Sequence, residues 1–239
     1  MQTYVLICMI VFFSGFIQGL SGFGAIMLSL PLLALFIDVK VVIPLVGIFG
    51  LVIPILLLIK LWKHLDWKKI YPLFLGAVPG ILVGVFFLKK FDVSTIHWVL
   101  GIILMTYSIY SLFFKSFNRG LREGWAYVFG FFGGCIGGAL SAAALGAIVY
   151  TSLQTWGKDK IKATLQGFLL PSHLVIVILQ AVNGLTTKIV LWYLLVSLPM
   201  LILGTYFGAL FYGRINEDFY KKIMLILLAI LGAFMIYRS

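Results

Sequence analysis

Apolar runs of about twenty residues recur from Val5 almost to the last residue, separated by short clusters of lysine and arginine. A helix needs about 20 residues to cross the ~30 Å hydrocarbon core of a bilayer, and none of these runs alternates with the two-residue period of a barrel strand. The runs therefore read as transmembrane helices. Composition agrees, with 63% of the residues hydrophobic and 10% charged, against roughly 45–50% apolar and ~25% charged in soluble domains. The longest polar stretches, 60–69 and 115–123, are too short to bury a core of their own. Function is expected inside the membrane-embedded body.

Reading from one charge cluster to the next gives eight segments, 4–37, 41–60, 69–88, 95–114, 123–153, 162–182, 188–211 and 219–237. The first and fifth are anomalous. One helix over 4–37 would be about 50 Å long, and two full crossings would need about 40 residues. A broken or re-entrant segment fits better, and glycines cluster where it would bend: Gly15, Gly19, Gly22 and Gly24, then Gly130, Gly133, Gly134, Gly137 and Gly138. The same landmarks recur in order. Gly15, Gly19 and Gly22 return as Gly130, Gly134 and Gly137, Gly50-x-x-x-Pro54 as Gly167-x-x-x-Pro171, and Pro79-x-x-x-x-Gly84 as Pro199-x-x-x-x-Gly204. Shared order with slowly growing offsets predicts a duplication, with one four-segment transmembrane repeat in 1–117 and a second in 118–239.

Basic residues orient the halves. If all eight segments cross once, the eighteen Lys and Arg divide nine against nine between the two sides. If the first and fifth return to the side they entered from, the division becomes thirteen against five, an ordinary positive-inside bias. The expected fold is thus an all-α polytopic membrane protein of two inverted repeats, the plan of many secondary transporters. It places the basic loops in the cytoplasm and both termini outside. The alternative is a pair of single tilted helices and a weak charge bias. The N-terminus lacks the basic start and small-residue cleavage site of a signal peptide, so Met1 is expected to begin the mature chain.

Several function classes lack their residues. All seven acids, Asp38, Asp66, Asp92, Glu123, Asp159, Glu217 and Asp218, fall at span ends or in loops, against a cation pump or a carboxylate-coupled antiporter. His64, His97 and His173 are far apart, and Cys8 and Cys135 sit singly in apolar runs, so neither a metal site nor a disulfide or cofactor site is expected. The net charge of +11 is spread over span ends rather than one folded face, which excludes nucleic acid as a natural partner. No GxxxxGK[ST] loop is present to bind ATP. Trp62, Trp67, Tyr71, Trp98, Trp125, Trp156 and Trp192 flank spans, as interfacial anchors do.

The embedded polar set is neutral: Ser14, Gln18 and Ser21 in the first half, and Ser141, Thr151, Gln166, Ser172 and His173 in the second. Two opposed broken helices would aim free backbone N–H groups at the membrane interior, where the positive end of each half-helix favours an anion. Gly22-Phe23-Gly24 and Gly137-Gly138-Ala139 are the expected cradle, with Gln18, Ser21, Ser141, Gln166, Ser172 and His173 completing the shell around a small anion. Purely structural roles compete with ligand binding at the same residues. Gly15/Gly19 and Gly130/Gly134 have the small-x-x-x-small spacing of close helix packing, and the glutamines and His173 are equally suited to structural interhelix bonds.

Two stretches carry a family resemblance: Gly15-x-x-x-Gly19-Leu-Ser-Gly22-Phe-Gly24 followed by Pro31, and the run from Gly133 through Tyr150-Thr151 to Lys158-Asp-Lys160-Ile-Lys-Ala-Thr-Leu-Gln166-Gly-Phe. With the Leu65-Asp-Trp67 loop they resemble the TauE/SafE family of sulfite and anion exporters over essentially the whole chain. The resemblance implies a secondary carrier of the inner membrane, a duplicated helical bundle, and a sulfur-containing anionic substrate such as sulfite or a sulfonate. Many relatives have a fuller glycine run in the first half and a proline after the glycines of the second, where this chain reads Gly22-Phe-Gly24-Ala25 and Gly138-Ala139-Leu140-Ser141. Partners implied are the anion, membrane lipids and, as an option, further copies of the chain. Carriage of another small organic anion in either direction, a membrane-embedded enzyme acting on lipids, and a non-transporting accessory subunit remain the alternatives.

Overall fold

The computed structural model describes the backbone of residues 2–113, 120–212 and 217–238. The basic residues Lys115, Arg119 and Arg214, and the repeat boundary at 117/118, lie outside the described residues. Ten α-helices follow in order: α1 (Gln2–Ser21), α2 (Ala25–Ala34), α3 (Val39–Leu61), α4 (Trp67–Lys90), α5 (Val93–Phe113), α6 (Trp125–Leu140), α7 (Ala144–Ser152), α8 (Lys158–Val182), α9 (Lys188–Leu210) and α10 (Glu217–Arg238). A 3₁₀ turn, Trp62–His64, joins α3 to α4. No strand occurs among the described residues. Six of the described helices, α1, α3, α4, α5, α8 and α9, are long and apolar enough to cross a membrane.

Both anomalous segments are broken. Segment 4–37 is α1 plus α2, and the break falls at Gly22-Phe23-Gly24, where Gly22 (φ 83°) and Gly24 (φ 107°) adopt left-handed backbone that a side chain disfavours. Segment 123–153 is α6 plus α7. Its break falls four residues after Gly137, at Ser141, which is itself left-handed (φ 57°) and donates its N–H to the Gly137 carbonyl at 2.7 Å. Beyond Ser141 the chain folds back on α6. Ala143 packs on Gly137, Gly146 on Gly133, and Tyr150 on Phe129 with ring centroids 6.0 Å apart. One boundary needs correction: segment six does not start at residue 162. The helix begins at Lys158, so residues 158–161, read from sequence as loop, belong to the first turn of α8, which carries Lys162 into the fold.

Helix pairs come into backbone contact through glycine, α5 and α10 at Gly101 and Gly232 and two others along several turns. Gly15 and Gly19 of α1 meet α9 at Leu201, Thr205 and Gly208, while Gly204 and Gly208 of α9 meet the Phe12 and Phe16 carbonyls. In the same manner Gly76, Gly80 and Gly84 of α4 interdigitate with Gly130, Gly134 and Gly138 of α6. The small-x-x-x-small spacing thus acts as close packing at these positions. Each pair joins an early helix to a late one, so the first and second stretches of sequence interlock. The apolar interior forms two clusters. One gathers buried side chains mainly from α1, α2, α3, α5, α9 and α10, and the other from α4, α6, α7 and α8.

Connecting loops collect at two ends. At one, Lys160 pairs with Asp66 at 3.0 Å, the Lys69 ammonium lies 3.8 Å from the Trp156 ring centre, Gln154 reaches the Leu121 carbonyl, and Tyr212 donates to Asp159 at 2.9 Å. The ammonium of Lys160 holds the Asp66 carboxyl below its ordinary value. At the other, Arg238 donates to the carbonyls of Ala34 and Leu35, and Tyr4 packs on Tyr193.

Candidate functional site

The first break is built by side chains that replace the hydrogen bonds a continuous helix would have made. Ala25 opens α2, and its N–H has no acceptor within that helix; Gln18 Oε1 accepts it at 2.8 Å. The Ser21 hydroxyl lies 2.8 Å from the Ile17 carbonyl, also approaches the Phe23 carbonyl, and accepts from the Phe23 N–H at 3.2 Å. The Gly22 carbonyl is taken from across the molecule by Gln166 Nε2 of α8. Lys162, one turn earlier on α8 and only 5% exposed, donates to the Gly19 carbonyl at 2.8 Å. Its ammonium therefore faces the negative end of α1.

The second break is held in a similar way. The Ser141 hydroxyl donates to the Ile43 carbonyl of α3 at 2.8 Å and accepts from Gln180 Nε2 at 3.1 Å. The Ser141 carbonyl lies 3.0 Å from His173 Nε2, and His173 Nδ1 lies 3.0 Å from the Leu169 carbonyl. Both neighbours of the ring are acceptors, and a neutral imidazole donates from one nitrogen only, so the tautomer decides which carbonyl is held. Gly50 of α3 packs flat on the imidazole, leaving no room there for a Cβ.

One face of α8 therefore carries Lys162, Gln166, His173 and Gln180. At about 100° per residue these positions lie within ~40° of one another around the helix. Gln166 and His173 are seven residues apart, about 10 Å along the axis, so a single rod touches both breaks. Of the residues singled out from sequence, Gln18, Ser21, Gly22, Phe23, Gly24 and Gln166 meet at the first break, and Ser141 and His173 meet at the second. Gly137 and Gly138 line no open space: the first packs on Ala143, and the second packs on α4 beside Gly84. Ser172 is buried next to His173, and its Oγ, like Gln166 Oε1 and Thr164 Oγ1, has no hydrogen-bond partner among the described residues.

Sequence reasoning passed over Lys162 and Gln180. Lys162 stands in a charged run that looks like a loop, and Gln180 stands near the end of a span. The signal available was their helical register with Gln166 and His173. A cavity of about 220 Å³ opens beside the first break, between Ser21 and Phe23, the end of α7, and the start of α8 with Lys158 and Lys162.

Long apolar helices interrupted at two buried breaks, with the polar face of α8 touching both, define a multi-pass membrane protein; among the described residues Lys162 is the buried lysine. The family model described as "Sulfite exporter TauE/SafE" matches residues 7–235. The chain belongs to the TauE/SafE sulfite exporter family. No curated protein and no solved structure matches it.

Proposed function

We propose that the chain is a secondary carrier that exports a small sulfur-containing oxyanion, sulfite or an organosulfonate, across the inner membrane by alternating access. The observation that carries this reading is the α8 face that contacts both breaks, through Gln166 at Gly22 and through His173 and Gln180 at Ser141. Neutral donors and the Lys162 ammonium beside them suit an anion that must be bound and then released.

The arrangement in the membrane follows from the same features. With α1–α2 and α6–α7 as re-entrant hairpins entering from opposite sides, residues 1–117 and 118–239 form inverted repeats. The 60–69, 120–123 and 153–162 loops, which touch one another, then share a side, and the charge bias makes that side cytoplasmic with both termini outside. The two apolar clusters meet along α3 and α8, and a rocking motion of one against the other would expose the breaks alternately. An inside-negative potential assists outward movement of an anion by about 2.3 kcal/mol per charge per 100 mV, so export needs no coupling ion.

Counterflow tests the carrier and its substrate together. Liposomes holding the purified chain and unlabelled sulfite should accumulate external ³⁵S-sulfite transiently, and taurine or thiosulfate should compete according to fit. A pore gives no transient accumulation, and absence of exchange with every oxyanion would remove the reading.

A further inference from the structure

The cavity beside the first break has a chemistry that neither helix break has by itself. Lys162 and Lys158 stand on its wall with the hydroxyls of Ser21, Ser152 and Tyr212, and no carboxylate is among its described lining side chains. The nearby acid, Asp159, is engaged by the Tyr212 hydroxyl at 2.9 Å. Its volume of about 220 Å³ is below the roughly 300–1,000 Å³ of pockets that take drug-sized ligands. That is room for an ion of sulfite or short sulfonate size, smaller than a nucleotide or a lipid. Lys162 is the unusual member. A lysine is rarely this buried without a dedicated purpose, and here its ammonium sits 3.7 Å from the Tyr212 ring centre, between the end of α1 and the cavity.

The second break has no equivalent. At the 117-residue offset that relates Gly50 to Gly167, the position matching Lys162 is Leu45, fully buried in apolar surroundings. Positive charge at the breaks is therefore one-sided, and it lies at the end where Asp66, Lys160 and Tyr212 meet.

We propose that this cavity is the loading site for the oxyanion on the basic-loop side, with the Lys162 ammonium as its principal ligand, Lys158 as the charge at its rim, and the Ser21 and Ser152 side chains on its wall. The proposal rests on the anion-carrier reading above and adds to it the side, the residues and the size limit. An anion entering here meets Lys162 within reach of Gln166 and the Gly22 turn, so loading and the first break are joined through one turn of α8. The competing role for Lys162 is to cap α1 alone, through the Gly19 carbonyl.

Sulfite counterflow in proteoliposomes separates the two. Lys162→Gln keeps an amide donor near Gly19 but removes the charge, and it should raise KM for sulfite at least tenfold. Lys162→Arg should stay within about threefold of the parent, and Lys158→Gln should raise KM severalfold. Lys63→Gln, an exposed lysine at the same end and outside the cavity, should leave KM unchanged. If the parent chain exchanges sulfite and neither Lys162→Gln nor Lys158→Gln differs from Lys63→Gln, the loading site is overturned while the carrier reading stands. If Lys162→Gln does not yield folded protein, Lys158→Gln and Lys162→Arg decide: a raised KM in the first with a near-normal KM in the second supports the site, and an unchanged KM in the first overturns it. No exchange by the parent with any oxyanion removes both readings.

Discussion

Gln166 holds the Gly22 carbonyl from 144 residues away, and both groups are inside the protein. Gln166→Ala leaves that carbonyl without this donor, a loss of about 1–3 kcal/mol for a buried group. The thermal midpoint in detergent should fall by a few degrees with folding retained, and sulfite exchange should drop more than tenfold; unchanged exchange would remove Gln166 from the site. Gly50→Ala tests the second break without touching a polar group. Its Cβ would collide with the buried His173 ring, so overpacking of about 1–3 kcal/mol should accompany loss of exchange. Normal exchange in Gly50→Ala would show that the His173–Ser141 contact is dispensable. At this scale the sequence disclosed residue types better than contacts. Ser21, Gln166 and His173 were legible because polar groups in apolar runs are costly. Lys162 was not, because its burial depends on where α8 begins and on Tyr212 lying over it.

Helix pairs α1–α9 and α4–α6 depend on glycines whose added Cβ would meet backbone rather than a side chain that could move. Gly208→Ala would drive a methyl into the Phe16 carbonyl and should prevent α1 and α9 from closing, with little folded protein recovered by size exclusion. Gly124→Ala has open space and ordinary helical backbone (φ −58°) and should behave as the parent. Recovery of both at parental levels would contradict close packing at these interfaces. The link between the Asp66 loop and α8 responds to pH. Because Lys160 depresses the folded carboxyl of Asp66 below 3.8, the pair's stabilisation is complete above that value and is lost as pH falls through the lower folded value. The effect is small, because the pair is solvent-accessible and screened. Asp66→Asn should lower the midpoint slightly near neutral pH and flatten its decline below about pH 4; an identical acid limb in both proteins would dismiss the ion pair as a contributor. Segment positions and both breaks were legible because helix length, glycine clusters and charge punctuation act locally. The start of α8 was misplaced because a charged first turn that packs against other loops resembles a loop in one dimension.

For the molecule as a whole, the proposed arrangement makes the ends at which loops collect the two sides of a membrane. Single cysteines at Lys63 and Arg122 should be labelled by an impermeant maleimide only after the inner membrane is opened, and cysteines at Lys89 and Lys188 should be labelled in intact spheroplasts. Labelling of both sets from one side would break the inverted arrangement. Ordered glycine and proline landmarks carry the proposed duplication. The contact of early with late helices through α1–α9 and α4–α6 was not legible, because partner choice between helices depends on surfaces that only the folded chain brings together. The central claim is that this bundle moves an oxyanion outward, and efflux from liposomes loaded with ³⁵S-sulfite under an imposed inside-negative potential tests it most directly. Faster efflux with increasing potential, reduced more than tenfold in Gln166→Ala, is the expected result; efflux no greater than from liposomes without the protein at every potential would contradict the claim.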